Sequence, residues 1–184
     1  MVFKKKGPWT VEETARVYRT PWVEVIEEKV VRPDGTRGLF STVLMRPGVS
    51  VLALDEEGFV HLTSEYRYAV ERESIEVVSG GVDDGETPLD AARRELREEL
   101  GIAAREWTDL GPVDPFTSVV LSPARLFLAR GLTHASHERE GSEVITALRV
   151  PLSEAVRMVM AGEITHGPSC VLILKAHFQL SNEV

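Results

Sequence analysis

GGVDDGETPLDAARRELREELGI, residues 80–102, carries the strongest helix signal in the chain, with a glycine-rich acidic loop directly before it. Thr87 is placed as an N-cap, whose side-chain oxygen can accept one of the N–H groups that a first helical turn leaves unpartnered. Pro88 follows at the first helical position, where a missing N–H costs nothing. Gly101 stands where a left-handed residue ends a helix. Between these marks Leu89, Ala92, Leu96 and Leu100 recur at spacings of three and four. The spacing predicts a helix over 88–100 whose apolar stripe packs on a core.

That helix also carries Glu95, Glu98 and Glu99 at i, i+3 and i+4, neighbours on one face. Each like-charged pair costs roughly a few tenths of a kcal/mol. Arg93, Arg94 and Arg97 offset part of this. A hard cation would offset more: Mg²⁺ prefers carboxylate and water oxygens and works beside substrate phosphates. A Glu- and Arg-rich helix is also a common solvated face, and three glutamates alone leave both readings open. The preceding loop, 80–86, favours a site. It follows a strand, and its glycines let backbone approach a ligand closely. A strand–loop–helix with carboxylates turned to the loop suits a metal and a diphosphate.

Outward from the helix, the rest of the chain is mostly β. Residues 11–46 are β-rich, with strands predicted at 22–31 and 39–44 around the turn Pro33-Asp34-Gly35. A small antiparallel sheet alone is marginal, so it should pack on the core or on another subunit. Further strands are predicted at 49–54, 59–63, 75–79, 126–129 and 144–150. Gly111-Pro112 and Asp114-Pro115 mark a loop. Ser153 should cap a helix running to about Met160, ended by Gly162, and a last helix should span 168–180.

The 184 residues are 43% hydrophobic and 27% charged, enough for one core and a small appendage. The formal net charge of −8 disfavours nucleic acid and anionic membrane as partners. The basic run Lys4-Lys5-Lys6 is expected to be a solvated tail. An acidic protein that binds an anionic substrate needs added positive charge, which metal ions supply. Cys170 is the only cysteine, so no intrachain disulfide can form, and its apolar neighbours suggest buried wall. No apolar stretch approaches the ~18 residues of a membrane helix. The start of the chain has no hydrophobic signal region. The expectation is a cytoplasmic enzyme.

Gly80, five residues, Glu86, seven residues, then Arg94-Glu95-Leu96-Arg97-Glu98-Glu99-Leu100-Gly101-Ile102 resembles the Nudix box at every defined position. The resemblance implies an α/β (α+β) Nudix fold, a mixed β-sheet sandwiched between helices. It implies that Glu95 and Glu99 are the principal ligands of Mg²⁺ or Mn²⁺, that Glu98 assists and that the carbonyl of Ser79 adds a ligand. Glu86 and Arg94 would orient the helix and its carboxylates. Such metals neutralise phosphoryl charge and activate water near neutral pH.

Other stretches are similar to the ADP-ribose pyrophosphatase branch of that family. Val51-Leu52-Ala53-Leu54-Asp55 resembles its first core strand, and Val150-Pro151-Leu152-Ser153-Glu154-Ala155 its passage from strand to helix. In Glu65-Tyr66-Arg67-Tyr68 the resemblance makes Arg67 a contact to substrate phosphate or ribose. The alternative for Arg67 is a surface ion pair with Glu71 or Glu73. Tyr66 and Tyr68 are expected in the core. Glu76 matches a glutamate of the branch. A late-loop glutamate, Glu143 first and Glu140 second, would serve as general base or extra ligand, while Glu138 is expected to be a solvated charge. His134 and His137 lack the neighbours of a zinc set. The branch's Ser-Pro-Gly is replaced by Phe116-Thr117-Ser118, and an acidic residue by Ser122. Phe116 would pack on a base or fill core. Branch members are homodimers, so residues 1–46 are expected to form a dimerisation element beside a Nudix domain over 47–184. Trp22, or Trp9, would stack on adenine or pack as core or interface.

The expected activity is metal-dependent hydrolysis of ADP-ribose or a related nucleoside diphosphate sugar to AMP and ribose 5-phosphate. Other nucleotide sugars, dinucleotides or nucleoside triphosphates are alternative substrates. A non-catalytic ADP-ribose sensor and a dimeric interaction module are the alternatives outside enzymology. The intact box glutamates argue against both.

Overall fold

The computed structural model describes residues 4–135 and 144–182. In chain order the elements are β1 (Lys4–Lys6), β2 (Trp9–Arg19), β3 (Val23–Val31), β4 (Arg37–Met45), β5 (Gly48–Leu54) and β6 (Phe59–Arg67). A 3₁₀ turn (Tyr68–Val70), β7 (Arg72–Glu76), β8 (Val78–Gly81), α1 (Pro88–Leu100), β9 (Ile102–Val113) and β10 (Val120–Leu121) follow. The chain continues through β11 (Ala124–His134), β12 (Thr146–Pro151), α2 (Leu152–Met160) and α3 (Gly167–Ser181). Contacts group these into two compact units, one reaching to Arg46 and including Phe116–Ser122, the other holding Pro47–Pro115 and the chain from Pro123.

The first unit is one sheet in the order β1-β2-β3-β4-β10. Its centre is the predicted hairpin of β3 and β4. At the turn, Gly35 takes φ +84, a conformation that costs glycine nothing, and Asp34 Oδ1 accepts from the Thr36 N–H at 2.9 Å. The Lys4-Lys5-Lys6 run is not a solvated tail. It is an edge strand paired with 9–11, and Lys6 Nζ bonds the two Glu28 oxygens at 2.9 and 2.7 Å. Glu28 is buried, and a buried carboxylate needs such a partner. Strand β2 is largely polar, and register shifts between Val11 and Glu13 and between Arg16 and Tyr18 break its alternation. Cross-strand pairing, not a period-two pattern, makes it a strand.

The second unit is a mixed sheet with the path β12-β6-β5-β11-β9, where β7 pairs with β6 and β8 with β5. Strands β5 and β11 run parallel and the other pairs antiparallel. Alternate residues of these central strands supply two cores. Val49, Val51, Ala53, Phe127 and Ala129 meet Ala91, Ala92, Leu96 and Leu100 of α1. Leu52, Leu54, Leu126 and Leu128 meet Ala155 and Met158 of α2 and Leu172, Ile173 and Ala176 of α3. A sheet covered on both faces needs unbroken apolar strands, which is why 49–54 and 126–129 show no polar alternation. The sandwich predicted from sequence is present.

Three further local expectations fail. Strand β9 runs to Val113, through the Gly111-Pro112 that reads as a loop. It pairs with β11 across a register shift, and Gly111 takes φ +86, so these residues mark an irregular strand and not its absence. Helix α2 begins one residue before Ser153, after Pro151, without a side-chain cap. Tyr66 is half exposed and Tyr68 is 91% exposed. They sit where β6 leaves the sheet for the 3₁₀ turn, so neither ring reaches a core.

Candidate functional site

Thr87 Oγ1 accepts from the Asp90 N–H at 3.2 Å and starts α1, and Gly101 ends it at φ 63 with its N–H on the Arg97 carbonyl at 2.9 Å. Leu96 and Leu100 turn one face of the helix to the sheet. The helix is thereby fixed beside β8, and its glutamate face lies against that strand. The contact is close. A Cβ added to Gly80 would stand 2.0 Å from the Glu95 carboxyl carbon, so only glycine leaves room for that carboxylate over the backbone.

Arg94 organises the acidic groups. Its Nε and Nη2 each donate to Glu86 at 3.1 Å, Nη1 donates to Glu95 at 2.7 Å and Glu98 at 3.1 Å, and Nη2 also donates to the Gly81 carbonyl at 2.9 Å. All five guanidinium N–H groups are therefore placed. The nearby carboxylates push the Arg94 pKa up, Glu86 most of all. In return the Arg94 hydrogen bonds hold Glu86 below the usual carboxylate range. Glu86 Oε2 also accepts from the Asp83 N–H at 3.1 Å, which folds the glycine loop back on the helix.

Glu99, 8% exposed, faces a second charged group. Its charge adds to the attraction felt by Arg67. Arg67 does not pair with Glu71 or Glu73. It donates from Nε and Nη2 to Glu76 at 3.1 and 2.8 Å and also meets Glu65 at 2.7 Å. Glu76 is 5% exposed. Burial works to raise its pKa, but the Arg67 bonds and the nearby His166 outweigh burial, and the net shift is downward. The structure thus joins Arg67 to Glu76 and Arg94 to Glu95 and Glu98, with Glu99 near Arg67. Ser79 lies on β8, its Oγ 3.0 Å from that of Ser50. Trp22 and Phe116 belong to the first unit, and both rings are exposed. Trp9 instead packs edge-on to Phe40, with ring centroids 5.7 Å apart. Glu140 and Glu143, with Glu138 and His137, lie outside the described residues.

Sequence reasoning missed the groups behind Glu76. His166 Nδ1 stands 3.4 Å from Glu76 Oε2 and 2.8 Å from Ser169 Oγ. Ser169 Oγ accepts from the Val77 N–H at 3.0 Å across 92 positions of sequence. No local pattern around 166–169 signals this.

The donor set suits a hard cation: Glu95, Glu98, Glu99 and a backbone carbonyl are all oxygen ligands. The gap that Gly80 leaves for the Glu95 carboxylate fits such use. Among the described residues no three His, Cys, Asp or Glu side chains stand close enough together to hold an ion as they are. Arg94 draws Glu95 and Glu98 to itself, so ligation requires these carboxylates to exchange the guanidinium for the cation. No helix among the described residues is long and apolar enough to cross a membrane.

A family model described as NUDIX domain matches residues 44–167, and one described as nucleoside diphosphate sugar hydrolase N-terminal domain matches residues 9–43. An ADP-ribose pyrophosphatase of Mycobacterium tuberculosis is 32% identical over 134 residues, which cover 70% of this chain and 64% of that protein. An ADP-ribose pyrophosphatase of Bacillus subtilis is 28% identical over 144 residues, covering 77% of this chain and 78% of its own length. The crystal structure of an ADP compounds hydrolase matches with a TM-score of 0.84 over 98% of each chain. At 22% identity that likeness concerns the fold.

Proposed function

This chain belongs to the Nudix hydrolase family, and from that premise we propose that it hydrolyses the diphosphate bond of ADP-ribose or a related nucleoside diphosphate sugar with Mg²⁺ or Mn²⁺, giving AMP and ribose 5-phosphate. The observation that carries this reading is the Glu95 carboxylate laid over Gly80, tied by Arg94 to Glu86 and Glu98. The match of residues 9–43 to a nucleoside diphosphate sugar hydrolase N-terminal domain supports the substrate class.

Glu95, Glu98, Glu99 and the Ser79 carbonyl would hold the cation. When bound, it neutralises the diphosphate and makes water a competent nucleophile near neutral pH. The chain's own residues do the rest. Arg94, anchored by Glu86, keeps the Glu95 and Glu98 carboxylates on one side of the helix, and it releases them to the cation when that binds. Arg67, steadied by Glu76, donates to a phosphate or ribose oxygen. Glu98 or Glu143 accepts the proton of the attacking water, with Glu140 as the second loop candidate. Trp22 and Phe116 offer exposed rings on which a base can stack. We also assign residues 1–46 to homodimer formation, 47–184 to the hydrolase domain, and the protein to the cytoplasm.

A substrate panel with Mg²⁺ tests the reading. ADP-ribose, other nucleotide sugars, dinucleotides and nucleoside triphosphates are compared by product analysis. We expect ADP-ribose or a near relative to exceed the other classes by about tenfold in kcat/KM. Equal turnover of all classes would sink the substrate claim. Glu99→Gln should lower turnover by about 100-fold or more, since a ligating charge is removed. Unchanged turnover in that variant would overturn Glu99 as a metal ligand, and no turnover of any panel substrate by the wild-type protein would favour a non-catalytic binding protein.

A further inference from the structure

A line of polar contacts runs from the backbone of residue 77 to the guanidinium of Arg67. The Val77 N–H donates to Ser169 Oγ at 3.0 Å, and that oxygen stands 2.8 Å from His166 Nδ1. His166 Nδ1 lies 3.4 Å from Glu76 Oε2, and the two Glu76 oxygens accept from Arg67 at 3.1 and 2.8 Å. Ser169 is wholly buried. We propose that His166, seated by Ser169, is a positioning residue that fixes the Glu76 carboxylate and thereby aims Arg67 at an anionic group of the substrate. The inference rests on the reading of Arg67 as a substrate contact.

The physical need for such a residue is plain. A carboxylate and a guanidinium joined by two bonds can still swing together about their side-chain torsions unless a group on a fixed element holds the carboxylate. Arg67 bonds both Glu76 oxygens and Ser74 also hydrogen-bonds that carboxylate, but the guanidinium has a rival acceptor in Glu65 at 2.7 Å, which is more exposed than Glu76. Should the pair swing, the guanidinium can follow Glu65 towards solvent. His166 supplies the opposing contact from the start of α3, which is anchored in the core by Leu172 and Ile173. Burial lowers the His166 pKa, which keeps its ring neutral near physiological pH. A neutral ring with its hydrogen on Nδ1 donates to Ser169 Oγ at 2.8 Å and keeps that N–H beside Glu76 Oε2, 3.4 Å away.

The test compares wild type with His166→Ala, His166→Asn, Glu76→Gln and the His166→Ala/Glu76→Gln pair. Asparagine can place a polar atom where Nδ1 stood, so it serves as the conservative rescue. With ADP-ribose and Mg²⁺, His166→Ala should raise KM about fivefold and leave kcat within about twofold. His166→Asn should restore most of the KM, and the double variant should be no worse than Glu76→Gln alone. A second readout is independent of turnover. The Arg67 Nε–H resonance should be slow to exchange with solvent in wild type and His166→Asn, and fast in His166→Ala. An unchanged KM and an unchanged Arg67 exchange rate in His166→Ala overturn the inference, as does simple multiplication of the two single effects. Arg67→Ala separates the premise: an unchanged KM there sinks the reading of Arg67. If no panel substrate is hydrolysed, the proposed function fails, and the Arg67 exchange rate still decides whether His166 positions the pair.

Discussion

Gly80 shows how one missing atom shapes the acidic cluster. A methyl group there would collide with the Glu95 carboxylate, the far end of a flexible side chain. The backbone of Gly80 is not left-handed, so alanine itself is tolerated by the main chain. Gly80→Ala should therefore change Tm little while moving Glu95 away from its Arg94 bond. By analogy with lost support around a metal ligand, activity should fall about 10- to 100-fold. The measurement is kcat/KM against Mg²⁺ concentration alongside a thermal melt. Wild-type activity in a folded Gly80→Ala protein would show that the close approach has no role. At this scale the sequence is informative where roles are local. Glu86, Arg94, Glu95 and Glu98 form one bonded group, and their spacing already marks them. His166 and Ser169 are illegible because their partner strand is far away in sequence, and no periodicity or cap reports a contact across 92 positions.

Element boundaries follow the same division between local and distant causes. Thr87 both accepts from the Asp90 N–H at 3.2 Å and donates to Asp90 Oδ2 at 2.6 Å. Thr87→Ala should cost about 1 kcal/mol, seen as a lower urea midpoint with the slope unchanged. Ser153, which makes no cap at α2, is the internal control, and Ser153→Ala should shift the midpoint far less. Equal shifts in the two variants would mean that the Thr87 bonds contribute nothing. Helix α1 is readable because its start, stripe and stop all lie within 87–101. Strand β9 is not, because Gly111 and Pro112 punctuate it as they would a turn, and only pairing with β11 keeps it extended. Strand β2 is hidden for a related reason: its side chains are mostly polar, and two register shifts erase the alternation that would mark one buried face.

For the molecule as a whole, the sandwich of a mixed sheet between helices follows from apolar runs that must be covered on both faces, but the parallel pairing of β5 with β11 has no signature in either strand. Another whole-molecule property is how the acidic cluster bears on stability. Arg94 already compensates Glu86, Glu95 and Glu98, so the chain does not need a metal to hold α1 against β8. The chelator EDTA should accordingly abolish hydrolysis while leaving the circular dichroism spectrum unchanged. Mg²⁺ that binds only the folded chain must then add stability by mass action, up to about 2.7 kcal/mol at a hundredfold excess over Kd. For a chain of this size that corresponds to a Tm increase of about 5–10 °C. The cost of taking Glu95 and Glu98 from Arg94 is contained in Kd, so it raises the Mg²⁺ concentration needed and leaves the shift at a given excess over Kd unchanged. Glu95→Gln should remove most of the shift, because it deletes a charge from the donor set and leaves the core of α1 intact. A Tm that rises equally with Mg²⁺ in wild type and Glu95→Gln would place the cation elsewhere on the molecule and overturn the assignment of this helix as its holder.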